Sequence, residues 1–435
     1  MSSKDLEQNF INNCRESFDY ESKKGLMNII NNVGIEQASV DREVLRNANH
    51  LYSKKIDDWE VMDQKQSGRC WIFAGMNLYK PVLCEKLNIK DIKLSANYVQ
   101  FWDFFEKANL FLNNIERTID ESVDSRLVHD LLCTTFEGGW WDMFIVLIDK
   151  YGVVPDDVMP DTFDASRSAN LSKTLGAFMR RAARDLRNLL KSGASESEIN
   201  SLKEERLSTV YEILVMHLGM PPQKFSWSYE DKDKKLVEIK DTTPLEFCSK
   251  LEVKEYITLI NDPRSVRPFK KRYSCDYVGS IEGEYLNFLN LDIETFKGLV
   301  KKMVDSGSPV WMSADVGKLA DHKNGIFNAD LYKIPELLGI PQPMKKADRL
   351  DYADGGGNHA MLFTGYHEEN GKIVKWRVEN SWGDEKGKKG YYEMSDEWFT
   401  EHVYTSLIST DLLTDEQREI LSQDAVKLMP WELPY

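Results

Sequence analysis

The stretch Gln64-Lys65-Gln66-Ser67-Gly68-Arg69-Cys70-Trp71-Ile72-Phe73-Ala74-Gly75 sets the reading of the whole chain. A glycine-containing loop delivers Cys70 into the first turn of an apolar helical run, Trp71, Ile72, Phe73 and Met76, and Pro81 marks its expected end or kink. At a helix start the free amide N–H groups and the positive end of the dipole favour thiolate over thiol. The pKa of Cys70 is therefore expected to fall into the reactive range. A free cysteine is more often buried and inert, so the residues around this stretch decide its meaning.

Downstream, Tyr98, Phe101, Trp102, Phe105, Ala108 and Leu112 recur at steps of three and four, giving a helix from Ser95 whose aromatic stripe reads as core packing. Gly138-Gly139-Trp140-Trp141-Asp142-Met143 is a turn feeding the apolar run 144–148, and Tyr151-Gly152 stops a helix. Residues 166–220 read as a helical hairpin whose second helix opens on the capping box Ser195-x-x-Glu198. Arg180, Arg181, Arg184 and Arg187 on the first of these helices read as a solvated or inter-subunit face. A hairpin is expected within 225–256, a helix at 293–305 and the strand Val310–Ala314. After Gly355-Gly356-Gly357 comes an apolar strand from His359. A second strand follows, in which Val374, Trp376 and Val378 alternate with Lys375, Arg377 and Glu379, a half-buried pattern ending at Asn380-Ser381-Trp382-Gly383. Leu45, Ala48 and Leu51 place a helical lead-in against the body.

The 435 residues, 42% apolar, allow two domains or one large domain with an insertion. A formal net charge of −15 opposes a polyphosphate partner, so no nucleic acid is expected. No basic n-region and no run of 18 apolar residues occurs, so neither secretion nor a membrane span is expected. Six scattered cysteines without a C-x-x-C pair fit a reducing, cytoplasmic compartment and no metal site.

A thiolate nucleophile needs a base, a group that orients the base, and donors for the oxyanion. Cys70, His359, Asn380 and Gln64 are the candidates, with Trp382 placed to cover the Asn380–His359 bond from water. The ordered set Gln…Cys-Trp…His-Ala…Asn-Ser-Trp-Gly resembles the papain-like cysteine peptidases. Further stretches resemble the bleomycin hydrolase and aminopeptidase C branch: Gly68–Trp71, Leu94–Leu112, Tyr151–Pro155, Thr243–Phe247, Asn261–Arg264, Asp315–Lys318 and Trp376–Gly383. The resemblance implies an α+β papain-like fold, with a helical subdomain, a β-barrel-like subdomain, a large and mainly helical insertion, and a C-terminal arm. It divides the chain into a lead-in (1–55), the nucleophile half (56–112), the insertion (113–300), the β half (301–425) and the arm (426–435). It also implies catalytic Cys70, His359 and Asn380, oxyanion donor Gln64, peptide substrates, a homohexamer, and no metal or organic cofactor.

Two departures from the branch stand out. Trp140 occupies a place where the branch usually has glutamine. The arm after Pro430-Trp431 is short, ending at Tyr435, the residue expected to control substrate access. An aminopeptidase is the first expectation. An endopeptidase is the alternative that the short arm leaves open, and a ring-forming nucleic-acid-binding protein is the alternative from another class.

Overall fold

The computed structural model describes residues 5–251 and 255–434. Helix α1 (Cys70–Lys86) begins at the cysteine itself and buries Trp71, Ile72, Phe73, Met76, Tyr79 and Leu83 on several faces, as a core helix does. The break expected at Pro81 does not occur. Pro81 withholds a bond from the Asn77 carbonyl, a loss of about 3 kcal/mol in a helix interior, and the apolar burial on both sides of it outweighs that loss. Helix α2 (Ala96–Arg117) starts where the Ser95 hydroxyl accepts the Tyr98 N–H. Helix α3 (Trp141–Tyr151) stops at Gly152, whose φ is +77° and where a Cβ would lie 2.2 Å from the Pro244 backbone, so no other residue fits.

The expected helical hairpin is α4 (Ala169–Lys191) and α5 (Glu196–Leu218), with both bonds of the Ser195/Glu198 capping box formed. Both helices pack on α2. The arginine row on α4 is not uniformly solvated. Arg187 is buried and donates to the Thr118 carbonyl at 3.0 Å and the Glu121 carbonyl at 2.5 Å, satisfying acceptors beyond the end of α2.

Six strands form the centre of a twelve-stranded sheet: β1 (Tyr256–Ile260), β2 (Val310–Ala314), β3 (His359–Glu369), β4 (Lys372–Glu379), β5 (Tyr391–Ser395) and β6 (Val403–Ser409). Their order is β1–β6–β2–β3–β4–β5, and all of these contacts are antiparallel. Strands Lys271–Gly279 and Tyr285–Asn290 extend the sheet beyond β1. The sheet thus draws on residues 256–290, which lie within the expected, mainly helical insertion (113–300).

Helix α1 lies against β3. The end of β4 is buried on both faces. Trp376 and Val378 are buried as expected, but Arg377 and Glu379, the intervening residues expected in solvent, are also only 5% and 2% exposed. The lead-in is helical over Gln8–Ser17, Tyr20–Ser39 and Arg42–Asn47, yet its described residues bury no apolar side chain. Backbone bonds tether it to the body, Asp41 N–H to the Leu331 carbonyl and Lys333 N–H to the Ser39 carbonyl, while Phe10 and Ile29 stay exposed. Among the described residues no helix is long and apolar enough to cross a membrane.

Candidate active site

The start of α1 is fixed against the sheet and against the loop before α3. The Trp311 indole on β2 donates to the Trp71 carbonyl at 3.3 Å. Gly68 packs so closely on Glu137 that a Cβ there would fall 2.7 Å from the Glu137 Cβ. Cys70 is half-buried and shares the wall of a cavity of about 510 Å³ with His359, the first residue of β3.

Register places the other groups. His359 pairs with Ala314 on β2, and Leu362 pairs with Glu379 on β4. Asn380 is one step beyond β4, so it faces Met361 and is a diagonal neighbour of His359 on the same face. His359 Nε2 lies 2.7 Å from Asn380 Oδ1. An amide oxygen only accepts, so Nε2 carries the proton and Nδ1 is the free acceptor of the neutral ring. Asn380 is itself held, its Oδ1 accepting the Ser381 N–H at 2.7 Å. The Trp382 ring covers the imidazole at a centroid distance of 4.6 Å and 34°.

The electrostatics depart from the sequence expectation. Burial pushes the Cys70 thiol up, and backbone hydrogen bonds from Ala360, Trp71 and Cys70 itself only partly oppose it. A first-turn dipole is worth about 0.3–1 kcal/mol and does not offset the desolvation. Burial likewise holds the His359 imidazole down to about 4, against the favourable Asn380 bond. Neither group carries a charge alone. Passing the thiol proton to Nδ1 gives a thiolate–imidazolium pair of zero net charge, the charged arrangement that burial penalises least.

Gln64 is buried between the cysteine loop and the segment after β4. Its Nε2 donates to the Ser67 carbonyl at 2.6 Å, its Oε1 accepts the Ser381 hydroxyl at 2.6 Å, and its backbone N–H donates to the Ser381 carbonyl at 2.8 Å. The second N–H of the amide is left for another acceptor.

A family model described as the peptidase C1-like family matches residues 5–433. The chain belongs to this family. It is 37% identical to aminopeptidase C of Lactobacillus helveticus over 92% of this chain and 91% of that one. It is 34% identical to bleomycin hydrolase of Mus musculus over 92% of each. A crystal structure of pepw from Lactobacillus rhamnosis superposes with a TM-score of 0.96 at 36% identity, covering 99% of both chains. The protein is a cysteine-type peptidase with the α+β papain-like fold that the sequence led us to expect.

The rest of the peptidase's cavity includes residues to which the sequence reading gave no role. Lys107, on α2, donates to the Gly138 carbonyl at 2.6 Å and the Phe136 carbonyl at 3.1 Å, with Asp103 as its ion-pair partner at 2.7 Å. These bonds fix the loop that carries Trp140 along the wall. Trp140 lines the cavity and stacks on Phe288 at 6.2 Å, so its ring both packs and shapes the space. Asn358, next to His359, donates to Asp315 at 2.7 Å and accepts the Val316 N–H at 3.1 Å. Asp315 belongs to one of the stretches that carried the resemblance, and that was the signal available for this brace. Cys133 lines the same cavity as Cys70, is exposed, and lies 3.7 Å from His129 Nδ1.

Tyr435 lies outside the described residues. The preceding arm is anchored beside the site. Pro430 and Trp431 line the cavity, with the Arg126 guanidinium 4.3 Å from the centre of the Trp431 ring. Glu432 pairs with Arg267 at 2.5 Å, and its carbonyl accepts from Arg264 at 3.0 Å. The Pro434 carbonyl accepts the Gly357 N–H at 2.9 Å, two residues before His359.

Proposed function

We propose that this peptidase removes amino acids from the free N-termini of short peptides, using Cys70 as nucleophile, His359 as acid and base, and Asn380 as its orienting group. The reading is carried by the 2.7 Å bond from His359 Nε2 to Asn380 Oδ1, which leaves Nδ1 as the acceptor in the cavity that Cys70 lines. His359 takes the thiol proton as Sγ attacks the scissile carbonyl. The Cys70 N–H and the Gln64 amide stabilise the oxyanion. The imidazolium then protonates the leaving amine, giving an acyl thioester. A water that transfers its proton to His359 attacks the thioester, and the thiol leaves with that proton. Trp382 shields the His359–Asn380 bond throughout.

The free-amine preference comes from the arm. Pro430 and Trp431 occupy one side of the cavity, and the Pro434–Gly357 bond brings the chain to the edge of the His359 loop. A peptide running on past the arm in that direction would meet it. Unblocked peptides are expected to turn over at least tenfold faster than the same peptides N-acetylated, and a version ending at Trp431 is expected to narrow the difference. Equal rates on the full-length chain would instead identify an endopeptidase.

The homohexamer is carried as part of the same proposal. The exposed Phe10, Phe18, Tyr20, Ile29 and Val33 of the lead-in supply apolar surface suited to contact with further copies. Sedimentation at micromolar concentration is expected to show an assembly, and a monomer there would remove this part. The free state of all six cysteines fits a cytoplasmic site of action, and fractionation with secreted material would contradict it.

A further inference from the structure

Glu379 is the residue of β4 that the alternation placed in solvent and that the fold buries. Its Oε1 accepts a hydrogen bond from Asn77 Nδ2 at 2.7 Å. Asn77, only 3% exposed, lies seven residues beyond Cys70 on α1, two turns along and on the same side of the helix. Glu379 immediately precedes Asn380. One buried bond therefore joins the helix that presents the thiol to the strand end that presents the orienting amide.

As a source of stability, a carboxyl in this place is a poor choice. Burial pushes it up to about 7, against Lys80, the Trp59 indole N–H, the Asn77 amide and Arg377. Two of these are committed elsewhere. Lys80 pairs with Asp91 at 2.9 Å and donates to the Glu60 carbonyl at 2.9 Å, while Arg377 pairs with Asp58 and donates to Thr364. Tyr391 faces the carboxyl from β5. The second oxygen, Oε2, makes no hydrogen bond of normal geometry. An apolar pair of the same shape would stabilise the junction as well or better. What the carboxyl supplies is direction: a short bond whose geometry fixes how α1 slides and rotates over β4.

We propose that Glu379 is a positioning residue, which through Asn77 locks the helix bearing Cys70 to the strand end bearing Asn380 and so holds the thiol in reach of His359. This inference rests on the catalytic reading of Cys70, His359 and Asn380. A displacement on the order of 1 Å between reacting groups can cost about 10²-fold in rate. A loosened junction costs part of that.

The test uses the full-length chain and the variants N77A, E379A, the N77A/E379A pair and E379Q, with an unblocked peptide as substrate. N77A and E379A are each expected to lower kcat about tenfold with KM within about twofold. Both are also expected to slow iodoacetamide alkylation of Cys70, located by peptide mapping, by a similar factor. The double variant should fall no further than either single one, because one bond has been removed twice. E379Q keeps an acceptor for Asn77 and should stay within about threefold of the parent. Should E379A fail to fold, N77A and E379Q decide between the outcomes. An unchanged kcat in N77A, additive losses in the pair, or a tenfold loss in E379Q would each overturn the proposal. An active Cys70→Ala variant would show that the catalytic reading had failed, whereas an inactive one beside a fully active N77A would defeat the positioning role alone.

Discussion

Cys70→Ala is expected to lower turnover of an unblocked peptide by at least about 10⁴-fold, leaving the fold intact. The substitution removes one sulfur from a half-buried side chain at the first position of α1. The transfer and cavity cost of so small a deletion is about 1 kcal/mol. The helix stays in place because the buried Trp71, Ile72 and Phe73 and the Trp311–Trp71 bond hold it, and none of these involves the sulfur. Chemistry, by contrast, loses its nucleophile outright, and neither His359 nor Asn380 can form an acyl thioester. A variant with near-native melting behaviour and no turnover is the expected result. Peptidase activity above a few per cent of the parent would sink Cys70 as the nucleophile.

His359→Ala is expected to cost about 10³- to 10⁴-fold in kcat and, in addition, to change when Cys70 reacts. Burial raises the thiol, and the backbone N–H groups of Ala360, Trp71 and Cys70 favour its ionised form; in the proposed mechanism the His359 imidazolium adds to them. With the ring removed, desolvation is left with less opposition, and the pH midpoint for alkylation of Cys70 should move upward. In the parent enzyme the sign on the acid side also follows from burial. His359 is held down to about 4, so the ring stays neutral and able to accept a proton until the pH falls toward that value. The acid limb of kcat/KM should therefore lie nearer 4 than the 6.5 of a free imidazole. Measuring kcat/KM and the alkylation rate across pH 3–10 checks both statements. An alkylation profile in H359A that overlays the parent's would show that His359 does not act on Cys70.

How much of this was legible beforehand depends on the kind of residue. Cys70, His359, Asn380 and Trp382 could be read because they stand in one order, Cys-Trp…His-Ala…Asn-Ser-Trp-Gly, with Cys70 at a helix start and His359 and Asn380 at strand ends. The elements carrying them fall where the pattern put them. The capping box at Ser195 and the stop at Gly152 were legible because they depend on neighbours in sequence. What could not be read was set by partners distant in sequence. Glu379 alternates with Trp376 and Val378 as a solvent-facing residue would, and neighbours distant in sequence, Asn77 on α1, Trp59 and Tyr391, surround it in the fold. Arg187 looked solvated, and its guanidinium meets the carbonyls of Thr118 and Glu121 just beyond the end of α2. The thiol of Cys70 was expected to be lowered from its helix position, yet desolvation by the surrounding sheet and loops reverses the sign. Pro81 was expected to end or kink the helix, and packing on both sides carries the helix through it.

The shared cavity has a practical consequence for anyone designing or screening covalent inhibitors. Cys70 and Cys133 open into one space, and Cys133 is the more accessible of the two. A bulky electrophile attached to Cys133 would obstruct peptides without touching the Cys70 sulfur, and would inactivate the enzyme with the time dependence of a mechanism-based reagent. Loss of activity after thiol modification therefore does not identify the nucleophile in this chain. Screening on a Cys133→Ser background, or mapping the adduct by mass, separates reaction at Cys70 from obstruction of the cavity through Cys133.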